Sequence, residues 1–187
     1  MRRPDRAPRL PPVAPPRIET ARLILEAHEL KDFDALLALW RDEAIVRHIS
    51  GKPSTDQESW FRMLRYRGLW PLLGFGYWAV RERASGRFVG DIGFGDFHRP
   101  LTPSISGQPE AGWIISPAAQ GQGYAREAMT AALAWLDEAT PHSASVCIIA
   151  PDNPPSLRLA RRLGYGEERT IDFQGEAAVL LTRRRPA

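Results

Sequence analysis

The feature of this chain best suited to chemistry is the run Gln120-Gly121-Gln122-Gly123-Tyr124-Ala125, which stands directly before a long helical pattern. Its glycines let a backbone approach a ligand with no Cβ in the way. A helix that begins after such a run offers unpaired backbone N–H groups and the positive end of its dipole, which together suit a phosphate. Arg126 adds a positive charge to the first turn. The run therefore predicts an anion site.

Two familiar phosphate-binding motifs do not fit this spacing. A dinucleotide fingerprint needs a third glycine where Arg126 stands. The nearest approach to a P-loop, Gly51-Lys52-Pro53, lacks the final Ser or Thr and the preceding glycine pattern. A pyrophosphate stays open as the anion.

A second motif follows about 30 residues later, with Asn153-Pro-Pro-Ser156 and then Leu163-Gly164-Tyr165. The first run resembles the Q/R-x-x-G-x-G/A signature of the GNAT superfamily of acetyl-CoA-dependent N-acetyltransferases. The second resembles the N-x-x-S…L-G-F/Y motif of the RimJ/RimL-like branch of that superfamily, which acetylates protein N-termini. The segment Thr20-Ala-Arg22-Leu23-Ile24-Leu25 resembles the usual opening of the branch. The resemblance extends from about residue 17 to 183.

The resemblance implies a site for acetyl-CoA. The pantetheine would lie between the fourth and fifth strands, the pyrophosphate on the backbone from Gln120 to Arg126, Asn153 on the pantetheine arm and Ser156 near the sulfur. The backbone groups expected to hold the pantetheine are those of Ile114, Ile115 and Ser116. Arg158, Arg161 and Arg162 either reach the phosphates or form a solvated helix face.

The resemblance also places the catalytic groups. An amine must lose a proton before it attacks a thioester, and Glu110 stands where the superfamily often has its base. Asp91 and Asp96 are the reserve candidates. The position of the usual tyrosine acid is Ala160, so Ser156 becomes the expected acid. The alternatives are that Glu110 is a solvated carboxylate and that Ser156 caps its helix.

The hydrophobic pattern supplies the elements that must position these groups. It predicts strands at 23–25, 77–80, 88–94, 111–115 and 145–150, one or two strands within 170–182, and helices that begin near Asp32, Thr55, Ala125 and Pro154. The fold class is α+β, and the resemblance implies a mostly antiparallel, V-splayed sheet of six or seven strands with about four helices. Residues 1–16, rich in Arg and Pro, are expected to be a disordered lead-in to one domain over 17–187.

Charge and composition exclude several classes of function. The chain has 187 residues and a formal charge of +3, but residues 1–18 carry +4, the run 183–185 carries +3, and the remainder carries −4. Basicity confined to the tails is weak evidence for a nucleic-acid groove. No apolar stretch is long enough for a membrane span, and no metal-ligand spacing occurs. The one cysteine, Cys147, is expected in the core, and the cytoplasm is the expected location.

The predicted function is therefore direct transfer of acetyl from acetyl-CoA to a primary amine, with a protein or peptide N-terminus as the first choice. The alternatives are a small acceptor, such as a polyamine or antibiotic, and a non-catalytic acyl-CoA-binding module. An aromatic acceptor pocket formed by Trp60, Trp70 and Phe75 is a further hypothesis. No nucleic acid or membrane partner is expected, and homodimerisation stays open.

Overall fold

The computed structural model describes residues 14–186. Most of the predicted disordered lead-in, residues 1–13, lies outside this range. Of its last three residues, Pro16 is partly buried, and its carbonyl oxygen accepts a hydrogen bond from the indole N–H of Trp78 at 2.8 Å. The end of the predicted lead-in is thus anchored on the folded body.

Eight strands and five α-helices form the described part of the chain. The strands are β1 (Ile18–Glu19), β2 (Leu23–Glu26), β3 (Tyr77–Glu82), β4 (Phe88–Gly95), β5 (Glu110–Ile115), β6 (Ala144–Ile149), β7 (Glu167–Phe173) and β8 (Glu176–Arg184). The helices are α1 (Phe33–Arg41), α2 (Glu43–Val46), α3 (Asp56–Leu73), α4 (Tyr124–Ala139) and α5 (Pro154–Arg162), and short 3-10 turns occur at Leu30–Asp32 and Pro117–Ala119.

The strands form one sheet in the order β1-β2-β3-β4-β5-β6-β8-β7. Every neighbouring pair is antiparallel except β5 and β6, which are parallel and are joined by the crossover helix α4. The predicted α+β class and mostly antiparallel sheet are confirmed. The expected six or seven strands become eight, because the two-residue edge strand β1 is too short to show a pattern and the closing segment folds as a full hairpin.

The ends of α3 follow from local chemistry that the sequence displays. The Thr55 hydroxyl accepts from the backbone N–H of Glu58, and the Glu58 carboxylate accepts from the backbone N–H of Thr55, which is a capping box. The helix ends where Gly74 adopts a left-handed conformation with φ of 79°. This helix therefore begins where the sequence predicts, directly after Thr55.

The two faces of the sheet have separate cores. On one face, α4 and α5 pack against apolar side chains of β2 to β6 and of β8, with Trp78, Ile92, Met129 and Leu181 among the fully buried residues. On the other face, α1, α2 and α3 pack against β3, β4 and β5 around Tyr77. This second face carries the side chains of Glu110 and the residues that alternate with it along β5.

A loop over residues 96–109 covers the second face beyond β5. Its apolar side chains Leu101 and Ile105 pack with Val146 of β6 and Leu180 of β8. This packing fixes the loop against the C-terminal half of the sheet, and it determines where the polar side chains of the loop can reach.

The three C-terminal arginines differ from the expected basic tail. Arg183 and Arg184 belong to β8, where they form ion pairs with Asp137 and Glu167. Arg185 donates to the carbonyl oxygens of Thr140 and His142. These three arginines are therefore held by contacts within the fold. No helix within residues 14–186 has the length and apolar character to cross a membrane.

Candidate active site

The site centres on the gap between the parallel strands β5 and β6. The two strands are paired at Glu110 and Val146, where the N–H of Val146 donates to the carbonyl of Pro109 at 3.0 Å. No further pair joins these strands toward their carboxyl ends at Ile115 and Ile149. Strands β5 and β6 therefore separate after the pair Glu110 and Val146, as expected for a V-splayed sheet.

The backbone of β5 divides its hydrogen-bonding groups between β4 and the gap. The N–H of Ser116 donates to the carbonyl of Val89 in β4 at 2.9 Å. Because both backbone groups of a residue point to the same side and alternate along an antiparallel strand, Ile114 and Ser116 face β4, whereas Trp113 and Ile115 face the gap. Of the three residues expected to hold pantetheine by their backbones, Ile115 is the one that faces the gap.

The loop after β5 presents a concentration of free N–H groups. Within residues 14–186, the backbone N–H groups of Gly121, Gln122 and Gly123 donate to no protein acceptor. Gly121 and Gly123 have φ of 74° and 78°, and Gly123 is the N-cap of α4 with no side-chain cap. The first helical N–H groups of α4 are also without intrahelical partners. This arrangement can hold a phosphate or pyrophosphate.

Gln120 has a structural role in the same loop. Its side-chain amide donates to the carbonyl of Ile115 at 3.0 Å, so it ties the start of the loop to the end of β5. Arg126 is exposed and forms no ion pair within the described residues. Its cation is therefore available in the first turn of α4.

The second motif lies at the start of α5, across the gap. The Asn153 side-chain oxygen caps the helix by accepting from the N–H of Ser156 at 3.2 Å. The indole N–H of Trp113 donates to the Ser156 hydroxyl at 3.4 Å. Trp113 was not among the predicted site residues, although the alternation of β5 would have placed it on the same side as Ile115.

Glu110 is buried and engaged in an ion pair. Its two carboxylate oxygens accept from the guanidinium of Arg99 at 2.6 and 2.9 Å. The guanidinium lies 5.0 Å from the ring centre of Phe97 and 4.8 Å from that of Phe173. To take a proton from an amine, Glu110 would have to lose the negative charge that pairs with Arg99, so the proton transfer would weaken this ion pair. Its role as general base stays a prediction.

The reserve carboxylates are engaged elsewhere. Asp91 has no exposed surface, and its Oδ1 lies 2.6 Å from Nε2 of His28, which is itself buried. Asp96 accepts from the backbone N–H groups of His98 and Gly107 at 3.1 and 2.8 Å. Asp91 is too deeply buried to meet a substrate, and Asp96 organises the loop.

The remaining candidate residues mostly have structural roles. Trp70 and Phe75 lie in the core beneath α4, so they cannot line an acceptor pocket with the half-exposed Trp60. Arg161 is paired with Glu168 at 2.7 Å. No cluster of three or more His, Cys, Asp or Glu side chains suited to a metal ion occurs within residues 14–186.

The comparisons with known proteins agree with this geometry. The family model described as an acetyltransferase (GNAT) domain matches residues 22–166. The chain belongs to the GNAT acetyltransferase family.

Similar solved structures include a GNAT-family acetyltransferase from Bordetella pertussis with 34% identity and a TM-score of 0.80, in which the match covers 90% of this chain and 99% of that chain. An acetyltransferase from Agrobacterium tumefaciens str. C58 has 25% identity and a TM-score of 0.76, over 91% and 95% of the two chains. A curated relative, an uncharacterized N-acetyltransferase called p20 from Bacillus licheniformis, is 23% identical over 80% of this chain and 82% of its own length.

GNAT acetyltransferases use acetyl-CoA, and the structure offers two features that fit it. The gap, toward which the backbone N–H of Ile115 points, suits the amide-containing pantetheine arm. The free N–H groups and left-handed glycines at Gly121 and Gly123 suit the pyrophosphate. When bound, acetyl-CoA supplies the acetyl thioester, and the protein supplies its binding, orientation and proton transfers.

Proposed function

We propose that this GNAT enzyme transfers acetyl directly to the α-amino group of a protein or peptide N-terminus. The observation that carries the proposal is the two-bonded ion pair between Arg99 and Glu110, which engages the expected base. The Asn153-x-x-Ser156 motif at the start of α5 supports the RimJ/RimL-like branch within the family.

The basicity of the acceptor is the physical link between the ion pair and the substrate. An α-amino group has a pKa of about 7.7–8.0, so roughly a third of it is neutral at pH 7.5. An alkyl amine with a pKa of about 10.4 is neutral in about one molecule in a thousand. Both oxygens of Glu110 are bonded to Arg99. An α-amine, much of which is already neutral, depends least on proton removal by this carboxylate.

The charge of the surrounding face supports the same choice. Polyamines and aminoglycosides carry several cations and need free carboxylates. Here Glu110 is paired, Asp91 is buried against His28, and Arg65 of α3 lies 5.2 Å from the ring of Phe97 with no ion pair within the described residues. An uncompensated cation beside the site disfavours a polycationic acceptor.

Ser156 is the proposed acid for the departing thiolate. Because its oxygen accepts from Trp113, its own O–H is free to donate elsewhere. Ile115 offers its backbone N–H at the gap. Glu110 receives the proton of the amine on a free lone pair, which weakens its ion pair with Arg99. The chemistry is direct transfer with no covalent enzyme intermediate.

The test is release of CoA thiol from acetyl-CoA with a panel of acceptors. Peptides with free N-termini are compared with the same peptides blocked at the N-terminus, with spermidine and with an aminoglycoside. We expect turnover with some free peptides and none with blocked ones. Turnover confined to spermidine or the aminoglycoside would refute the α-amine proposal. Tight binding of acetyl-CoA without turnover across the panel would favour the non-catalytic module.

A further inference from the structure

Arg22, directly before β2, contacts the loop over residues 120–123 that is proposed to bind the pyrophosphate. It precedes β2, yet its guanidinium reaches the loop before α4. Its Nη1 donates to the carbonyl of Gln122 at 2.9 Å, and its Nε donates to the carboxylate of Glu127 at 2.7 Å. A single side chain thus holds both the loop and the first turn of α4.

Glu127 is held from three directions by the same short segment. Its Oε1 accepts from the hydroxyl of Thr20 at 2.6 Å and from the backbone N–H of Arg22 at 2.8 Å, while the Arg22 side chain holds Oε2. Although partial burial acts to raise the pKa of Glu127, the hydrogen bonds from Thr20 and Arg22 keep it below its usual value. The carboxylate is therefore a fixed negative charge in the first turn.

That negative charge stands at the end of α4 where a phosphate is expected. An acidic side chain in the first turn stabilises a helix, but it opposes a bound anion through the same field. Arg22 counters this opposition, since its guanidinium pairs with Glu127 and would lie 3.6 Å from a Cβ added at Gly123. The Arg22 guanidinium also lies over the ring of Tyr124, with its Cζ 4.7 Å from the ring centre, and this contact keeps it beside the loop.

We propose that Arg22 is a positioning residue of the acetyl-CoA site, which fixes the carbonyl of Gln122 and neutralises Glu127 so that the loop accepts a pyrophosphate. This inference rests on the proposed placement of the pyrophosphate on residues 120–126. It gives a function to the segment Thr20-Ala-Arg22, although Arg22 and Glu127 are 105 residues apart in the sequence.

The experiment measures CoA binding by calorimetry for the full chain and for Arg22→Ala, Glu127→Gln and the double variant. We expect Arg22→Ala to weaken binding about tenfold, as for loss of a hydrogen bond to a charged group, and Glu127→Gln to change it by less than about threefold. The double variant should recover about fivefold over Arg22→Ala, because the uncompensated carboxylate is gone. A merely structural role of Arg22 predicts no such recovery.

Two variants serve as controls. Arg83→Ala removes a nearby, similarly exposed arginine that donates to the carbonyl of Thr20 but does not touch the loop, and should bind CoA as the unmodified chain does. If Arg22→Ala does not fold, Arg22→Lys and Arg22→Gln take its place. Arg22→Lys keeps the positive charge and should weaken CoA binding less than Arg22→Gln.

Gly123→Ala separates failure of this inference from failure of the site. If Gly123→Ala weakens CoA binding while Arg22→Ala and Arg22→Gln bind within twofold of the unmodified chain, the role of Arg22 is refuted and the pyrophosphate site stands. If all of these variants bind normally, both are refuted.

Discussion

The indole N–H of Trp113 on β5 donates to the hydroxyl of Ser156 on α5, across the gap between β5 and β6, at 3.4 Å. The bond occupies a lone pair of Ser156 and leaves its proton free, which is the arrangement that an acid for a leaving thiolate needs. It also joins two parts of the chain that the splayed strands leave apart.

Ser156→Ala is expected to lower kcat about tenfold or more while CoA affinity changes less than threefold. The reason is that the proposed acid acts when the thiolate leaves, whereas CoA is expected to bind mainly through backbone groups. Steady-state kinetics with a peptide acceptor and calorimetry with CoA check this. Trp113→Phe, which keeps the ring and loses the N–H, should lower kcat in the same direction by less. Unchanged kcat in Ser156→Ala would remove Ser156 from the mechanism.

Glu110→Gln is expected to lose activity in a way that depends on pH. If Glu110 removes the amine proton, the loss should be largest at pH 6.5, on the order of 100-fold, and should shrink to within about threefold at pH 9, where an α-amine is already neutral. The measurement is kcat/KM of both enzymes across this range. An equal loss at every pH would assign Glu110 to fixing Arg99 instead.

Gly112→Ala is expected to destabilise the fold by about 1–3 kcal/mol, as overpacking does. A Cβ at Gly112 would lie 2.2 Å from the phenolic oxygen of Tyr77, which is buried and stacked on Tyr66 at 4.3 Å and cannot move aside. Urea unfolding measures the change. Gly68→Ala, in the middle of α3 with open space around it, should instead stabilise by roughly 0.5–1 kcal/mol.

Cys147 is expected to be silent toward thiol reagents in the native protein. It has 1% of its surface exposed, and burial raises the pKa of its thiol well above the usual value, so almost no thiolate forms at neutral pH. A dithiobis-nitrobenzoate titration should detect no thiol in the folded chain and one in denaturant, since the chain has one cysteine. Rapid reaction of the native protein would contradict this burial.

Local signals in the sequence were sufficient for most of the fold. The capping box at Thr55, the apolar spacing after Tyr124 and the strand of Val146 each express a rule that operates over a few residues. The two-residue β1 and the four-residue α2 were missed because a periodic pattern needs more residues than they have.

The partners of the site residues were beyond the reach of the sequence. The pairing of Glu110 with Arg99 depends on how Leu101 and Ile105 seat their loop on the sheet, which no local pattern encodes. The contact of Arg22 with the carbonyl of Gln122 likewise depends on the packing of β2 against α4. Residue types suggested which groups could do chemistry, and the tertiary fold determined which of them are engaged.

The single residue pair between β5 and β6 also bears on the stability of the protein. The sheet consists of two half-sheets, β1 to β5 and β6 to β8, that share one residue pair. A molecule that enters this slot and binds only the folded chain raises the free energy of unfolding by mass action. If acetyl-CoA binds in this gap, as proposed, it is expected to join the two half-sheets and to raise the free energy of unfolding of the chain.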